Sequence, residues 1–162
     1  MKRVTLIRFC EDLKSKTNLK SSRYFTVQEK VSIFLLIIPH NESNYIAAEK
    51  FQHSGHSISL AFNLVLRKVC KLGKEIIRPP NMDTVPMEIV SNSKYYPFFK
   101  DCTSATDGTH VAASIPQNEQ IPFRGRKTNT TCNIIYVCSL DMLFTYVISC
   151  WEGSTNDSRI LP

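Results

Sequence analysis

A chain of 162 residues, 43 % hydrophobic and 10 % aromatic, holds enough apolar material for one ordinary domain or two small ones, which excludes a disordered polar chain. The formal net charge of +6 is unevenly spread: residues 1–80 carry 14 Lys and Arg against 6 Asp and Glu, whereas residues 81–162 carry 6 against 8. A basic first half points to contact with nucleic acid, with a solvated basic surface as the plainer alternative.

Arg3 to Leu13 is weakly helical, with Val4, Leu6, Ile7, Phe9 and Leu13 as its apolar positions. Lys14 to Arg23 is basic and Ser-rich and reads as a linker. Thr26-Val27-Gln28-Glu29 is a capping box, in which the Thr hydroxyl and the Glu carboxylate satisfy first-turn amides. The helix it opens is expected to run through Val31, Phe34, Leu35 and Ile38 and to stop at Pro39-His40-Asn41. A second helix is expected from Ser43 to Phe51, then a turn over Gln52 to His56. A third follows from Ser57, with Ile58, Ala61, Phe62, Val65, Leu66 and Val69 on one stripe and Gly73 as its C-terminal cap.

Short helix, Gly-containing turn and longer helix form a helix-turn-helix pattern, which any three-helix bundle shares. Arg67, Lys68, Lys71 and Lys74 are the candidate phosphate contacts, although basic residues there also complement the helix dipole. His53 and His56 read as polar turn residues, because no Cys or carboxylate close in sequence completes a metal site.

Residues 1–80 therefore read as a basic helical region and residues 81–100 as a linker with an aromatic segment. The Pro-rich stretch from Arg78 to Pro86 cannot continue a helix. Tyr95-Tyr96-Pro97-Phe98-Phe99 is expected in a core or a docking patch between domains. From residue 101 to 162 the pattern changes to strands: Thr103 to Ala113, Cys132 to Leu140 and Leu143 to Trp151, with a loop from Pro116 to Arg126. Cys132 to Cys150 is apolar, but Asp141 in its middle marks a hairpin and not a membrane span, and no membrane partner is expected.

Asp107-Gly108-Thr109-His110 and Gly153-Ser154-Thr155-Asn156-Asp157-Ser158-Arg159 each follow an apolar run, so the two aspartates are expected at strand ends, where two carboxylates can hold a divalent metal against phosphate oxygens. Arg124, Arg126 and Lys127 form the one basic spot in the acidic half, a candidate phosphate-backbone contact or a solvated loop. The six cysteines, Cys10, Cys70, Cys102, Cys132, Cys138 and Cys150, lack a C-x-x-C spacing, which argues against zinc and for reduced thiols in an intracellular compartment. Met1-Lys2-Arg3, soon followed by Glu11 and Asp12, does not read as a signal peptide. No Gly-rich loop indicates a nucleotide cofactor.

With these residues in view, the chain resembles the Harbinger/PIF-type transposase-derived nucleases, including the plant proteins described as antagonist of like heterochromatin protein-like. The resemblance runs from Phe25 to Leu161. Its carriers are Phe51-Gln52-His53-Ser54-Gly55 with Ser57-Ile58-Ser59, Tyr96-Pro97-Phe98-Phe99-Lys100-Asp101-Cys102, Asp107-Gly108-Thr109-His110-Val111, Pro122-Phe123-Arg124-Gly125-Arg126-Lys127, and Trp151-Glu152-Gly153-Ser154 with Asp157-Ser158-Arg159.

The resemblance implies an α+β chain: an N-terminal helix-turn-helix-like region, then the first three strands of an incomplete RNase H-like DDE nuclease domain. It also implies a nuclear protein that acts on DNA with Mg²⁺ or Mn²⁺, and a DNA-binding or chromatin protein as a further partner. Asp107 becomes the first catalytic carboxylate, Asp157 a second metal ligand, and His110 a group that orients Asp107 or phosphate, against the plainer reading of a buried, hydrogen-bonded histidine. Ser104, Thr106, Cys132 and Cys150 depart from the family pattern. The family's later Asp-bearing strand and Glu-bearing helix have no counterpart before Pro162, so the chain is expected to be a truncated relative, inactive alone. The alternative is a domesticated, non-catalytic DNA-binding or chromatin-interaction module.

Overall fold

The computed structural model describes residues 2–80, 82–125 and 129–160, with the side chains of Cys150, Asp157 and Ser158 outside the description. The chain divides into two compact units, 1–76 and 77–162, each considered by itself.

The first unit is helical. Helix α1 spans Arg3–Thr17, α2 spans Val27–His40, α3 spans Asn44–Phe51 and α4 spans Gly55–Ile76. Helix α1 runs a full turn beyond its expected end and absorbs the start of the supposed linker. The reason is spacing: Cys10, Leu13 and Thr17 fall at i, i+3 and i+7 and are all buried, while the Thr17 hydroxyl donates to the Leu13 carbonyl at 2.6 Å. Lys14 and Lys16 complement the negative end of the helix dipole, and Asn18 closes the helix in the left-handed conformation.

Helix α2 begins as its sequence dictates, with the Glu29 amide donating to Thr26 Oγ1 at 3.2 Å. The other half of the capping box is diverted, because Glu29 Oε1 meets His53 Nε2 at 3.0 Å. Pro39 is accommodated in the last turn rather than ending the helix before it, and Asn41 supplies the left-handed cap. Ser43 caps α3 through the Ile46 amide. Gly73, expected as a cap, lies inside α4, which continues to Ile76.

Helix α4 packs against α1, α2 and α3. Its buried residues Ile58, Ala61, Val65 and Leu72 share two apolar clusters. Cys10, Leu13, Leu19, Val27, Val31, Phe34, Val65 and Leu72 form the first, and Phe25, Ile33, Ala47, Ile58 and Ala61 the second. Lys30 is 4 % exposed among them, and its Nζ donates to the Lys20 carbonyl at 2.9 Å. Burial pushes its ammonium below the ordinary lysine range, since the charged form loses water.

The second unit holds one antiparallel sheet of three strands in the order β1-β2-β3, namely Ser104–Ala112, Thr131–Ser139 and Phe144–Glu152. With the helices, this makes the chain α+β. A helical turn α5 (Met87–Val90) precedes the sheet, a 3-10 turn (Gln117–Glu119) and α6 (Gln120–Phe123) occupy the β1–β2 loop, and α7 (Asp157–Ile160) follows β3. The aromatic segment is not core: Tyr95 and Phe99 meet edge-on at 6.0 Å, yet Tyr95, Tyr96, Phe98 and Phe99 are all exposed, Phe98 by 83 %. The apolar run Cys132 to Cys150 is the β2–β3 hairpin, and no helix among the described residues is long and apolar enough to cross a membrane. At its tip Ser139 hydrogen-bonds the Asp141 carboxylate, and Met142 takes a positive φ of 67°.

Gly153 fixes the chain that leaves β3. A Cβ there would lie 2.6 Å from the Phe123 carbonyl oxygen and against the Thr131 backbone, so only glycine lets the three strands of chain meet. The Ser154 amide donates to the Pro122 carbonyl at 3.2 Å, and Asn133 Nδ2 donates to the Thr155 carbonyl at 3.0 Å within the sheet unit. Gly153→Ala is therefore expected to destabilise this unit by about 2 kcal/mol. At Gly73 a Cβ would meet nothing within 4 Å. Gly73→Ala is expected to stabilise the helical unit by roughly 0.8 kcal/mol. Urea unfolding of the two variants, read against the parent chain, checks both signs.

Candidate carboxylate site and nucleic-acid interface

Asp107 is the fourth residue of β1, not its end. Its cross-strand partner on β2 is Tyr136, which in turn pairs with Val147 on β3. Side chains alternate along a strand, and directly paired residues share a face. Asp107 therefore shares a face with Tyr136, whose ring contacts Phe144 at a centroid distance of 5.3 Å. The carboxylate is exposed, and Oδ1 accepts from the Gly108 amide at 2.9 Å. Among the described residues it takes part in no ion pair.

His110 lies three residues further on, and the same alternation turns it to the opposite face, with Asn133 as its partner. Its Nδ1 meets Thr131 Oγ1 at 3.2 Å. It is exposed rather than buried. An odd separation within one strand thus removes it as a support for the Asp107 carboxylate.

Asp157 does not sit at the end of β3 either. Four residues separate it from Glu152, and it opens α7. Its side chain lies outside the described residues. The end of β3 aligns with Cys132 and Val111, so Asp107 is four rungs, roughly 13 Å, from that end of the sheet.

The segments around Gly125 and Gly153 do come together. Gly125 approaches the Gly153 carbonyl oxygen, and both lie against Thr131. Arg124 forms an isolated bridge with Thr130 and presents an exposed side chain at this end of the sheet, whereas Arg126 and Lys127 lie outside the described residues. A sequence reading singles out both segments for chemistry. Part of their pattern is explained by close packing at Gly153.

On α4 the candidate phosphate contacts separate into two kinds. Arg67, Lys71 and Lys74 stand at i, i+4 and i+7 on one face, and all three are exposed. Lys68 is turned the other way: its Nζ donates to the Thr17 carbonyl at 2.7 Å, at the C-terminus of α1. An ammonium there satisfies an open helix carbonyl and matches the helix dipole. Sequence spacing alone does not exclude Lys68, which stands three residues from Lys71; the bond to Thr17 does. Missed entirely was the pairing of His53 with Glu29, 24 residues apart, over the Phe25 ring at a centroid distance of 4.2 Å. The carboxylate absent from the neighbourhood of His53 in sequence is supplied by the fold.

As a metal cradle the described residues are incomplete. No group of three or more His, Cys, Asp and Glu side chains comes together among them. Mg²⁺ keeps several waters and takes one or two protein carboxylates with substrate phosphates, so exposed Asp107 suits one ligand position and does not make a closed site.

The sheet unit thus exposes the Asp107 carboxylate on an antiparallel sheet, and the helical unit presents a basic stripe. Residues 106–162 match the family described as DDE superfamily endonuclease, which takes in Asp107, β2, β3 and α7. Residues 1–71 match a domain of unknown function, DUF8040, covering α1 to α3 and most of α4. No curated protein and no solved structure matches the chain.

Lys68→Met is expected to cost the helical unit about 1 kcal/mol through the lost contact to Thr17. Lys71→Met, on the open face, is expected to change stability by less than about 0.5 kcal/mol. Thermal unfolding of the two variants separates the supporting lysine from the exposed one.

Proposed function

We propose that this chain is a transposase-derived DNA-binding protein of the Harbinger/PIF type, with a nuclease-type sheet unit that does not cut DNA by itself. The observation that carries the reading is the match of residues 106–162 to DDE superfamily endonucleases, with Asp107 exposed on β1 within the matched stretch. Asp107 would offer Mg²⁺ or Mn²⁺ one carboxylate ligand, with Asp157, whose side chain lies outside the described residues, as the proposed second, and the bound ion would supply Lewis acidity toward a phosphodiester. The proposed inactivity is supported by the donor set, since among the described residues no group of three His, Cys, Asp or Glu side chains forms around Asp107. A nuclear location and a chromatin-associated partner belong to this same reading.

The DNA-binding half of the proposal rests on the exposed Arg67, Lys71 and Lys74 stripe, which gives a regularly spaced row of cations for a phosphate backbone. Arg124 adds one cation from the sheet unit. A purely binding function, in which α3 and α4 act as a helix-turn-helix and no chemistry occurs, is the second reading, and the same stripe favours it.

Duplex binding should weaken with salt, and each of Arg67→Ala, Lys71→Ala and Lys74→Ala should lower the slope of log K against log salt by about 1. Asp107→Ala should leave that slope unchanged. Fluorescence anisotropy over a salt series reads both; a slope that none of the three variants moves would remove α4 as the interface. In a supercoiled-plasmid assay with Mg²⁺ or Mn²⁺, nicking should stay at the level of the Asp107→Ala variant. Metal-dependent nicking lost on Asp107→Ala or Asp157→Ala would overturn the claim of inactivity.

A further inference from the structure

The helical unit carries an open groove unrelated to the α4 stripe. Leu6 of α1, Ser32, Leu35, Leu36 and His40 of α2, and Lys50 and Phe51 of α3 line it, and its volume is about 330 Å³. It lies over the seam between the two apolar clusters: Leu6 and Leu35 pack on the first, Leu36 and Phe51 on the second. These four side chains are half-buried, so an apolar floor faces solvent there. The rim is cationic or polar. Lys50 and His40 are exposed, and among the described residues neither forms an ion pair. Pro39 has no amide hydrogen to return to the Leu35 carbonyl, so the wall also lacks one helical hydrogen bond beside the groove.

We propose that this groove docks an acidic amphipathic helix from a partner protein. The volume matches the two or three apolar side chains that such a helix inserts at i, i+3 or i+4, and i+7. The choice of an acidic occupant comes from charge complementarity. The rim offers a lysine and a histidine with no carboxylate of its own, on a unit whose residues 1–76 hold 13 Lys and Arg against 6 Asp and Glu. A basic helix would face repulsion at the rim and from the surrounding field. The open, half-solvated form suits side chains carried on a peptide, which stay tethered while their backbone remains in water. This site shares no residue with the proposed DNA stripe, so it would let the chain hold DNA and a second protein together.

The test uses the full chain and a fluorescein-labelled helical peptide of about 16 residues, with Leu at i, i+3, i+4 and i+7 and Glu at the exposed positions. A twin peptide carries Lys in place of Glu. Fluorescence anisotropy is expected to show the acidic peptide binding at least about tenfold more tightly than its twin. Lys50→Glu should weaken the acidic peptide about fivefold and strengthen the basic one, while Lys74→Glu, an equal charge change outside the groove, should alter either by less than about twofold. Ser32→Trp fills the open space without removing core and should weaken binding about tenfold, with far-UV circular dichroism unchanged. Equal binding of the two peptides, or an equal effect of Lys50→Glu and Lys74→Glu, would overturn the proposal. So would self-association of the parent chain in sedimentation that Ser32→Trp abolishes, which would make a second copy the occupant.

Discussion

Side chains along a β-strand can face only two ways, and that alternation decides which residues of the sheet unit can act together. Asp107 and His110 are adjacent in any reading of the sequence, yet their separation of three places them on opposite faces of β1. The Asp107 face joins Tyr136 and the aromatic contact to Phe144, while the His110 face joins buried Asn133 and the returning chain at Thr155. Among the described residues the Asp107 carboxylate accepts from the Gly108 amide and joins no group of three potential metal ligands. That isolation, beside the match of residues 106–162 to DDE superfamily endonucleases, is what the proposal of a non-cutting sheet unit rests on.

Gly153 plays the corresponding part for the chain path. Its missing side chain lets the segment after β3 lie against Thr131 and Phe123, after which Ser154 and Thr155 are held by Pro122 and Asn133. These contacts fix residues 153–155, the segment that leads into α7. In the helical unit the comparable constraint is the end of α1, whose open carbonyl at Thr17 is met by Lys68, with Lys30 serving Lys20 a turn further on. Lys68 of α4 thereby holds the end of α1, and Lys30 of α2 holds the loop that follows it. Both are cations that a charge count alone would assign to a ligand.

Local signals in the sequence were legible where one interaction decides the outcome. Thr26 and Ser43 mark the starts of α2 and α3 because a hydroxyl caps an open amide, and period-two alternation places the three strands to within a residue or two. Legibility failed where composition and packing disagree. Lys14 to Thr17 looks like a polar linker, but Leu13 and Thr17 extend the buried stripe of Cys10 and keep the helix going. Gly73 looks like a cap, but the continuation of α4 to Ile76 overrides it. At the candidate site the expected strand Thr103 to Ala113 already holds Asp107 in its interior, so the expectation of a strand-end aspartate is at odds with the strand's own bounds, and the observed strand keeps Asp107 inside. Long-range pairs such as Glu29 with His53 carry no local signal at all.

The central proposal is that Asp107 serves a divalent metal as one ligand of an incomplete site. Titrating Mn²⁺ into ¹⁵N-labelled chain and following paramagnetic broadening of the amide signals tests this most directly, because the effect is centred on whichever carboxylate binds. The account predicts weak binding with broadening centred on Asp107, Gly108 and Tyr136, lost in the Asp107→Asn variant. Broadening centred elsewhere, such as at Glu29 and His53, or unchanged by Asp107→Asn, would contradict it.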